Sequence, residues 1–454
     1  MDEVIATVNP ATGQIGPVFT PYSDADIEEK LESASLAKKA MATESIGERR
    51  HKMLAVADLL EAELTDIAAL VTTEMGKVLS QAKAEVAKCA NTYRFFAEHA
   101  ESMLAPEPNP YDARSKIIYS PLGVVLAVMP WNFPLWQVTR FAAPGLMAGN
   151  VVLLKHAPNV PQTALLLESI FTRAGFERGA FQTLLVEATT VRRLIEDPRI
   201  DAVTLTGSER AGSAVAACAG RALKKSVMEL GGSDPFIVMP SCDIAATAVI
   251  AAEARLQNNG QSCIAAKRFI IHDAVYEDFK ELFSAAMAEM KVGDPFAPQT
   301  DLGPLASERA RQLLQDQVDD ALQHGARLIV GGEVPSGDGY YYPPTILEGV
   351  TPGMRGYTEE LFGPVAVLYR GKNLDEIIRI ANDTPYGLGA SVFTNDEGEM
   401  DRFASDIQSG MVFFNSMVAS APERPFGGIK HSGYGRELGL IGIRELCNQK
   451  VIYR

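Results

Sequence analysis

The sequence predicts an α/β protein built on parallel sheets, and three observations carry that prediction. Short β-branched or apolar runs recur at Val124 to Val128, Val151 to Leu154, Val203 to Leu205 and Phe236 to Met239. Helical patterns separate several of them, as in Thr163 to Arg173 and Val191 to Glu196. Residues capable of chemistry stand just after the runs, and ligands of open parallel sheets bind at the carboxyl ends of strands. Runs apolar throughout also suit strands covered on both faces.

The elements follow in order. Ser23 precedes Asp26 by three, a helix start in which each residue can satisfy the other's backbone amide. Ile27, Leu31, Ala34 and Met41 continue at helical spacing, and Met53, Leu54, Ala57, Leu60 and Leu64 form a second such stripe, so the first hundred residues read as mostly helical. Ala105 to Pro110 is a proline-rich break. Ser115 to Ser120 reads as a strand. Asp243 to Leu256 is an alanine-rich helix that leads into the polar loop Gln257 to Cys263, and Phe269 to Ile271 resumes as a strand. A second α/β region follows, with a turn at Gly331–Gly332 and a strand at Val365 to Tyr369. Cys447 to Tyr453 reads as a final strand. At 454 residues the chain is long enough for two or three domains and a large core.

Composition narrows the function. The net charge is −15 and the isoelectric point about 5.0, so the chain lacks the basic footprint that nucleic acid requires. Five widely spaced cysteines suggest neither a disulfide framework nor a zinc site, and the scattered histidines form no metal spacing. The N-terminus shows no signal peptide, and no run reaches the roughly 18 apolar residues of a membrane span. The expectation is a cytoplasmic protein with no nucleic-acid, membrane or metal partner.

Three residues invite a chemical reading. Cys263 lies in a polar, glycine-containing loop between a helix and a strand, where either a nucleophile or an inert small residue is possible. Glu229 ends a short apolar run before Gly231 and Gly232, in place for a base or for an ordinary turn acid. Asn132 sits between Pro130 and Pro134, in a stiff non-helical segment where its amide is either a turn group or an oxyanion donor.

Taken together the segments decide among these alternatives. PWNFP (Pro130–Pro134), GNVVLLK (Gly149–Lys155), TGSERAG (Thr206–Gly212), MELGGSDP (Met228–Pro235), NNGQSC (Asn258–Cys263), EELFGPV (Glu359–Val365) and PFGGIKHSGYGRE (Pro425–Glu437) resemble the aldehyde dehydrogenase superfamily in its order and intervals. The resemblance implies a Rossmann-like cofactor domain from residues 1–102 and 122–230, an α/β catalytic domain at 231–437, and a small β oligomerisation element at 103–121 and 438–454. In that element a hairpin pairs with the C-terminal strand, and the chain is expected to be a homodimer or homotetramer.

The resemblance also assigns roles. Cys263 attacks the aldehyde as a covalent nucleophile. Asn132 and the Cys263 amide hold the oxyanion, and Glu229 activates the water that hydrolyses the thioester. Trp131, Lys155, Pro158, Gly207, Ser208, Leu230, Glu360 and Phe362 match cofactor-binding positions. NAD-preferring relatives often carry an acid three positions after the lysine; here Pro158 stands there, so NADP is the expected cofactor, with NAD possible.

KHAPNVP and NNGQSCIAAKRF are most similar to short bacterial-type succinate-semialdehyde dehydrogenases, whose substrate ends in a carboxylate. Arg140 and Ser420 occupy positions that would bind it. The family's second arginine is replaced by Gln257, and Ala265 replaces a second cysteine that would allow a redox disulfide. Phe133, Trp136 and Phe426 either line the aldehyde passage or pack in the core. Alternatives are another aldehyde, such as glutarate semialdehyde, lactaldehyde or an aliphatic one, and a non-catalytic dinucleotide-binding protein.

Overall fold

The computed structural model describes residues 5–454. Two mostly parallel sheets dominate it. The first has six strands in the spatial order Gly433–Tyr434, Lys225–Glu229, Ala202–Thr206, Val124–Val128, Val151–Lys155 and Phe181–Thr183. The second has seven, in the order Arg327–Val330, Thr345–Glu348, Val365–Gly371, Arg268–His272, Pro235–Val238, Gly389–Phe393 and Met411–Phe414. Helices such as Pro161–Arg173, Glu209–Arg221 and Tyr276–Ala288 cover them and bury the β-branched runs.

Local chemistry sets the helix boundaries. Ser23 caps Asp24–Thr43, accepting from the Asp26 amide while Asp26 accepts from the Ser23 amide. Ser45 and Glu48 repeat the device at Ile46–Ala62. The stripe Ile27, Leu31, Ala34 and Met41 is buried, as its spacing requires.

The N-terminal region holds one element that periodicity hid. Ile5–Val8 and Ile15–Phe19 form an antiparallel ribbon ahead of the helices. A two-stranded ribbon is marginal alone. This one is anchored from outside: Thr7 donates to the buried Glu74, and the Ala6 amide donates to the Pro158 carbonyl.

Topology locates the first binding crevice. From Val124–Val128 the chain steps outward through Val151–Lys155 to Phe181–Thr183, then returns to the other side of Val124–Val128 for Ala202–Thr206 and Lys225–Glu229. The connections therefore diverge between Val124–Val128 and Ala202–Thr206, which opens a crevice at their carboxyl ends. Strand register lines up Val128, Lys155 and Leu205, and pairs Thr206 with Glu229, along that edge.

The second sheet presents its opposite end. Leu230 to Asp234 lead directly from the end of Lys225–Glu229 into Pro235–Val238. The carboxyl edge of one sheet thus leads into the amino edge of the other. Cys263 precedes the strand Arg268–His272, and Glu360 and Phe362 precede Val365–Gly371. The expectation that reactive residues follow strands holds for the first sheet and is reversed in the second.

One short strand crosses back. Gly433–Tyr434 pairs antiparallel with Lys225–Glu229, so a segment expected within the 231–437 catalytic domain completes the first sheet. Gly433 has φ +106°, and a Cβ there would lie 1.9 Å from the Met228 carbonyl oxygen. Only glycine permits that approach. The strand Cys447–Tyr453 pairs along its whole length with Ser115–Pro121, which also pairs with Glu107–Pro108. It leaves one edge of this three-stranded sheet open, with Val451 and Tyr453 exposed. No helix among the described residues is long and apolar enough to cross a membrane.

Gly433→Ala is expected to destabilise the protein by about 2 kcal/mol or more, because the substitution adds both a clash and a left-handed strain. Urea unfolding of the two proteins side by side measures it; an unchanged midpoint would refute the close-approach account.

Candidate active site

The segment carrying Asn132 is held from several directions. Glu85, on helix Leu79–Met103, accepts from the Leu135 and Trp136 amides at 3.0 and 2.9 Å and so satisfies the start of helix Trp136–Met147. Lys77 pairs with Glu85 in the interior, and its ammonium sits 3.9 Å from the Phe133 ring centroid. His156 Nε2 lies 2.9 Å from the Pro134 carbonyl, while Nδ1 accepts from the Ala157 amide. That pattern requires a neutral ring with its proton on Nε2. Burial, aided by Lys155, holds the imidazole down to about 4.

The loop that carries Cys263 is held by amide side chains. Asn258, Asn259 and Gly260 have φ of 54°, 57° and +74°, three consecutive left-handed residues. Asparagine tolerates that region better than most side chains. Asn258 Nδ2 donates to the carbonyls of Asn132 and Gln261. Asn259 donates to the Gly76 and Pro304 carbonyls and accepts from the Gly303 amide. Arg255, fully buried, donates to the Gly260 carbonyl. Lys267 donates to the carbonyls of Ser262 and Cys263 and lies 3.2 Å from Glu360.

Cys263 is half-buried and lines a cavity of about 90 Å³ with Arg140, Gln257, Ser420, Lys88 and the rings of Phe133, Trp136 and Phe426. The three aromatic residues therefore line this cavity. The cavity shares Ala419, Ser420 and Phe426 with a larger one of about 360 Å³. Burial pushes the Cys263 thiol up to about 12, against the opposing charges of Arg140 and Lys267. The Asn132 side chain donates one N–H to the Gln261 carbonyl at 3.0 Å. Its amide carries a second N–H for another acceptor.

Glu229 is buried, and neither of its carboxylate oxygens has a hydrogen-bond partner. Burial and the neighbouring Glu437 carboxylate raise its pKa well above the usual range, while Arg140 and Arg436 oppose the rise. A Cβ at Gly427 would lie 2.6 Å from Glu229 Oε1, so that glycine makes room for the carboxylate.

Arg140 reaches the cavity but is already committed. It is 1% exposed, its Nε lies 2.6 Å from Glu437 Oε2, and it donates to Thr206 Oγ1. Its guanidinium also stacks 4.3 Å from the Phe426 ring. Ser420 Oγ accepts from Trp136 Nε1 and from Lys88 Nζ, both at 3.0 Å.

The expected cofactor residues gather at the crevice. Gly207 and the exposed Ser208 open helix Glu209–Arg221, where backbone amides are available to an anion. A Cβ at Gly207 would touch only Leu205, so the space above it is open. Trp131 and Phe362 meet edge to face at 5.8 Å. Glu360 accepts from the Gly232 amide and would be 2.5 Å from a Cβ at Gly231, so the carboxylate lies close over that backbone. Leu230 fills the space beside Gly212. Lys155 ends its strand, and Pro158 lies in the following turn. This donor set fits a dinucleotide: amides for phosphate, a carboxylate for ribose hydroxyls, and aromatic edges for a ring.

The sequence reading did not single out Lys88, Lys267 or Glu437 for a role. Lys267 and Glu437 stand inside quoted motifs, which is the signal that was available. Lys88 lies in a helix with no motif, and its partner Ser420 is 332 residues away.

A sequence profile described as the aldehyde dehydrogenase family matches residues 1–452. The chain belongs to this family. A succinate-semialdehyde dehydrogenase [NADP(+)] of Mycobacterium avium is 54% identical, over 99% of this chain and 96% of its own. A protein of the same description from Mycobacterium leprae is 53% identical, over 99% of both chains. Among solved structures, succinic semialdehyde dehydrogenase from Streptococcus pyogenes in complex with NADP+ superposes with a TM-score of 0.97 at 38% identity, covering 99% of each chain.

His156 gives the site a pH-dependent stability. Its folded-state pKa is depressed, so the contribution is full above the unfolded value of about 6.5 and is lost as pH falls toward 4. The wild type should exceed His156→Gln in unfolding free energy at pH 7.5, and the gap should narrow by up to about 3 kcal/mol by pH 4. Denaturant titrations across that range measure it, and a constant gap would count against the buried neutral ring.

Proposed function

We propose that this enzyme oxidises succinate semialdehyde to succinate and reduces NADP. The observation that carries the substrate reading is the cavity itself: the Cys263 thiol shares a small, ring-lined space with cationic and hydroxyl side chains suited to a terminal carboxylate. The descriptions of its relatives support the same reading.

Cys263 Sγ bonds to the aldehyde carbon as the thiol gives up its proton to solvent. The carbonyl oxygen becomes an oxyanion, held by the second N–H of Asn132 and the Cys263 amide. A bound nicotinamide would supply the hydride acceptor, and loss of hydride from the tetrahedral carbon gives a thioester on Cys263. Trp131, Phe362 and Glu360 would orient that ring and its ribose, and Lys267 keeps Glu360 and the Cys263 backbone in register. Glu229 then takes a proton from water as the water attacks the thioester carbonyl, and the thiolate leaves. A buried carboxyl with a raised pKa suits both taking that proton and releasing it afterwards.

Lys155, Pro158, Gly207, Ser208 and Leu230 would hold the adenosine end and phosphates of the cofactor. Pro158 brings no negative charge to the turn where a 2′-phosphate would sit. The working domain division is 1–102 with 122–230 for cofactor, 231–437 for catalysis and 103–121 with 438–454 for oligomerisation, with Gly433–Tyr434 crossing to the first sheet. A second copy covers the open edge at Cys447–Tyr453 in a cytoplasmic dimer or tetramer; light scattering that returns a monomer would refute this.

Three measurements test the reading. Purified enzyme should reduce NADP faster with succinate semialdehyde than with butanal, and kcat/KM should favour NADP over NAD; equal rates with butanal would remove the substrate assignment. Glu229→Gln should give a burst of one NADPH per site and then turn over at least about 100-fold more slowly than wild type, because the thioester persists. A linear trace without a burst would place the Glu229 role before hydride transfer. Pro158→Glu should lower kcat/KM for NADP by about tenfold or more while sparing NAD, through repulsion of the 2′-phosphate.

A further inference from the structure

We infer that Lys88 and Ser420, rather than Arg140, form the anchor for the carboxylate of the aldehyde substrate. The inference deepens the succinate-semialdehyde reading and rests on it.

Charge accounting in the cavity comes first. Arg140 is the expected cation, yet Glu437 faces it at 2.6 Å and both side chains are buried. The pair sums to zero, and a second carboxylate brought to Arg140 would compete with Glu437. Lys88 lines the same cavity as Cys263, and among the described residues no carboxylate lies within ion-pair distance of its ammonium. It is the cavity's uncompensated positive charge.

Hydrogen-bond valence points the same way. A hydroxyl has two acceptor positions and one hydrogen. Ser420 Oγ accepts from Lys88 Nζ and from Trp136 Nε1, so both acceptor positions are taken and its hydrogen is left to donate. The ammonium carries three N–H groups, of which Ser420 takes one. The cluster therefore offers donors of both kinds, a charged one from Lys88 and a neutral one from Ser420, to a single acceptor-only group. A carboxylate is that group. The ammonium is also held in place, 3.9 Å from the Trp136 ring centroid, which spares some of the entropy of ordering it on binding. Arg140 acts behind this cluster, with its guanidinium stacked on the Phe426 ring that forms part of the wall.

Titration supplies a second readout. Burial holds the Lys88 ammonium down to about 8. The ionisable groups that face it are Cys89, Glu85 and Lys77 on its own side and Arg140 from helix Trp136–Met147. Of these Cys89 and Glu85 favour the charged form, and Arg140 and Lys77 oppose it. As pH rises through that value Lys88 loses its proton, and the KM for an acidic aldehyde should climb while that for a neutral aldehyde does not.

The test compares wild type, Lys88→Met, Lys88→Arg and Arg140→Met with succinate semialdehyde and with butanal, a neutral aldehyde of the same chain length. Lys88→Met should raise KM for the acidic aldehyde about 10- to 100-fold, with the larger effect on KM than on kcat, and should abolish the alkaline rise. Lys88→Arg should restore most of the acidic preference and move the rise to higher pH. Lys88→Met retaining the wild-type preference, or the preference vanishing only in Arg140→Met, overturns the inference while the substrate reading stands. A wild type that shows no preference for the acidic aldehyde overturns the substrate reading, and the inference with it.

Discussion

The buried ion pair between Arg140 and Glu437 is the constraint on which the rest of the site depends. It joins helix Trp136–Met147 to the segment that follows Gly433–Tyr434, so it ties a late part of the chain to the first sheet. Two charges taken out of water are expensive, and their attraction across a short separation offsets part of that cost. Thr206 and the Phe426 ring complete the surroundings of Arg140. The pair also sets the electrostatics around Glu229, whose pKa is raised by burial and by Glu437 and held in check by Arg140. A raised pKa makes the ionised carboxylate a stronger acceptor for a proton from water.

The second constraint is the meeting of opposite sheet edges. Parallel sheets place their versatile loops at one end, and here one sheet contributes its carboxyl end and the other its amino end. The connection Leu230 to Asp234 is short, so Glu229 and the start of the second sheet cannot separate. Gly231 and Gly232 sit in this connection because Glu360 and the Cys263 carbonyl press against them: added Cβ atoms would lie 2.5 and 2.6 Å from those groups. The crevice of the first sheet and Cys263 are thus brought together by backbone packing as much as by side chains.

Much of this was legible in the sequence, and for definite reasons. Strands buried on both faces write themselves as apolar runs, so Val124–Val128, Val151–Lys155 and Ala202–Thr206 were found within a residue or so. The cap at Ser23 depends on residues three apart and is equally local. The N-terminal ribbon escaped because its stability comes from Glu74 and Pro158, far along the chain. The reversal of edges in the second sheet escaped because a loop before a strand and a loop after a helix are the same stretch of sequence.

The sequence by itself determined the family, the positions of Cys263, Glu229 and Asn132, and the absence of an acid at Pro158, because each is a matter of residue identity within a local motif. The tertiary structure decided which charges are spent. Arg140 reads as a substrate cation until Glu437 is found 2.6 Å away, and Lys88 reads as an ordinary helix lysine until Ser420 and Trp136 close on it from distant segments. Charge compensation depends on distance in space, and a linear sequence does not carry that distance for residues hundreds of positions apart.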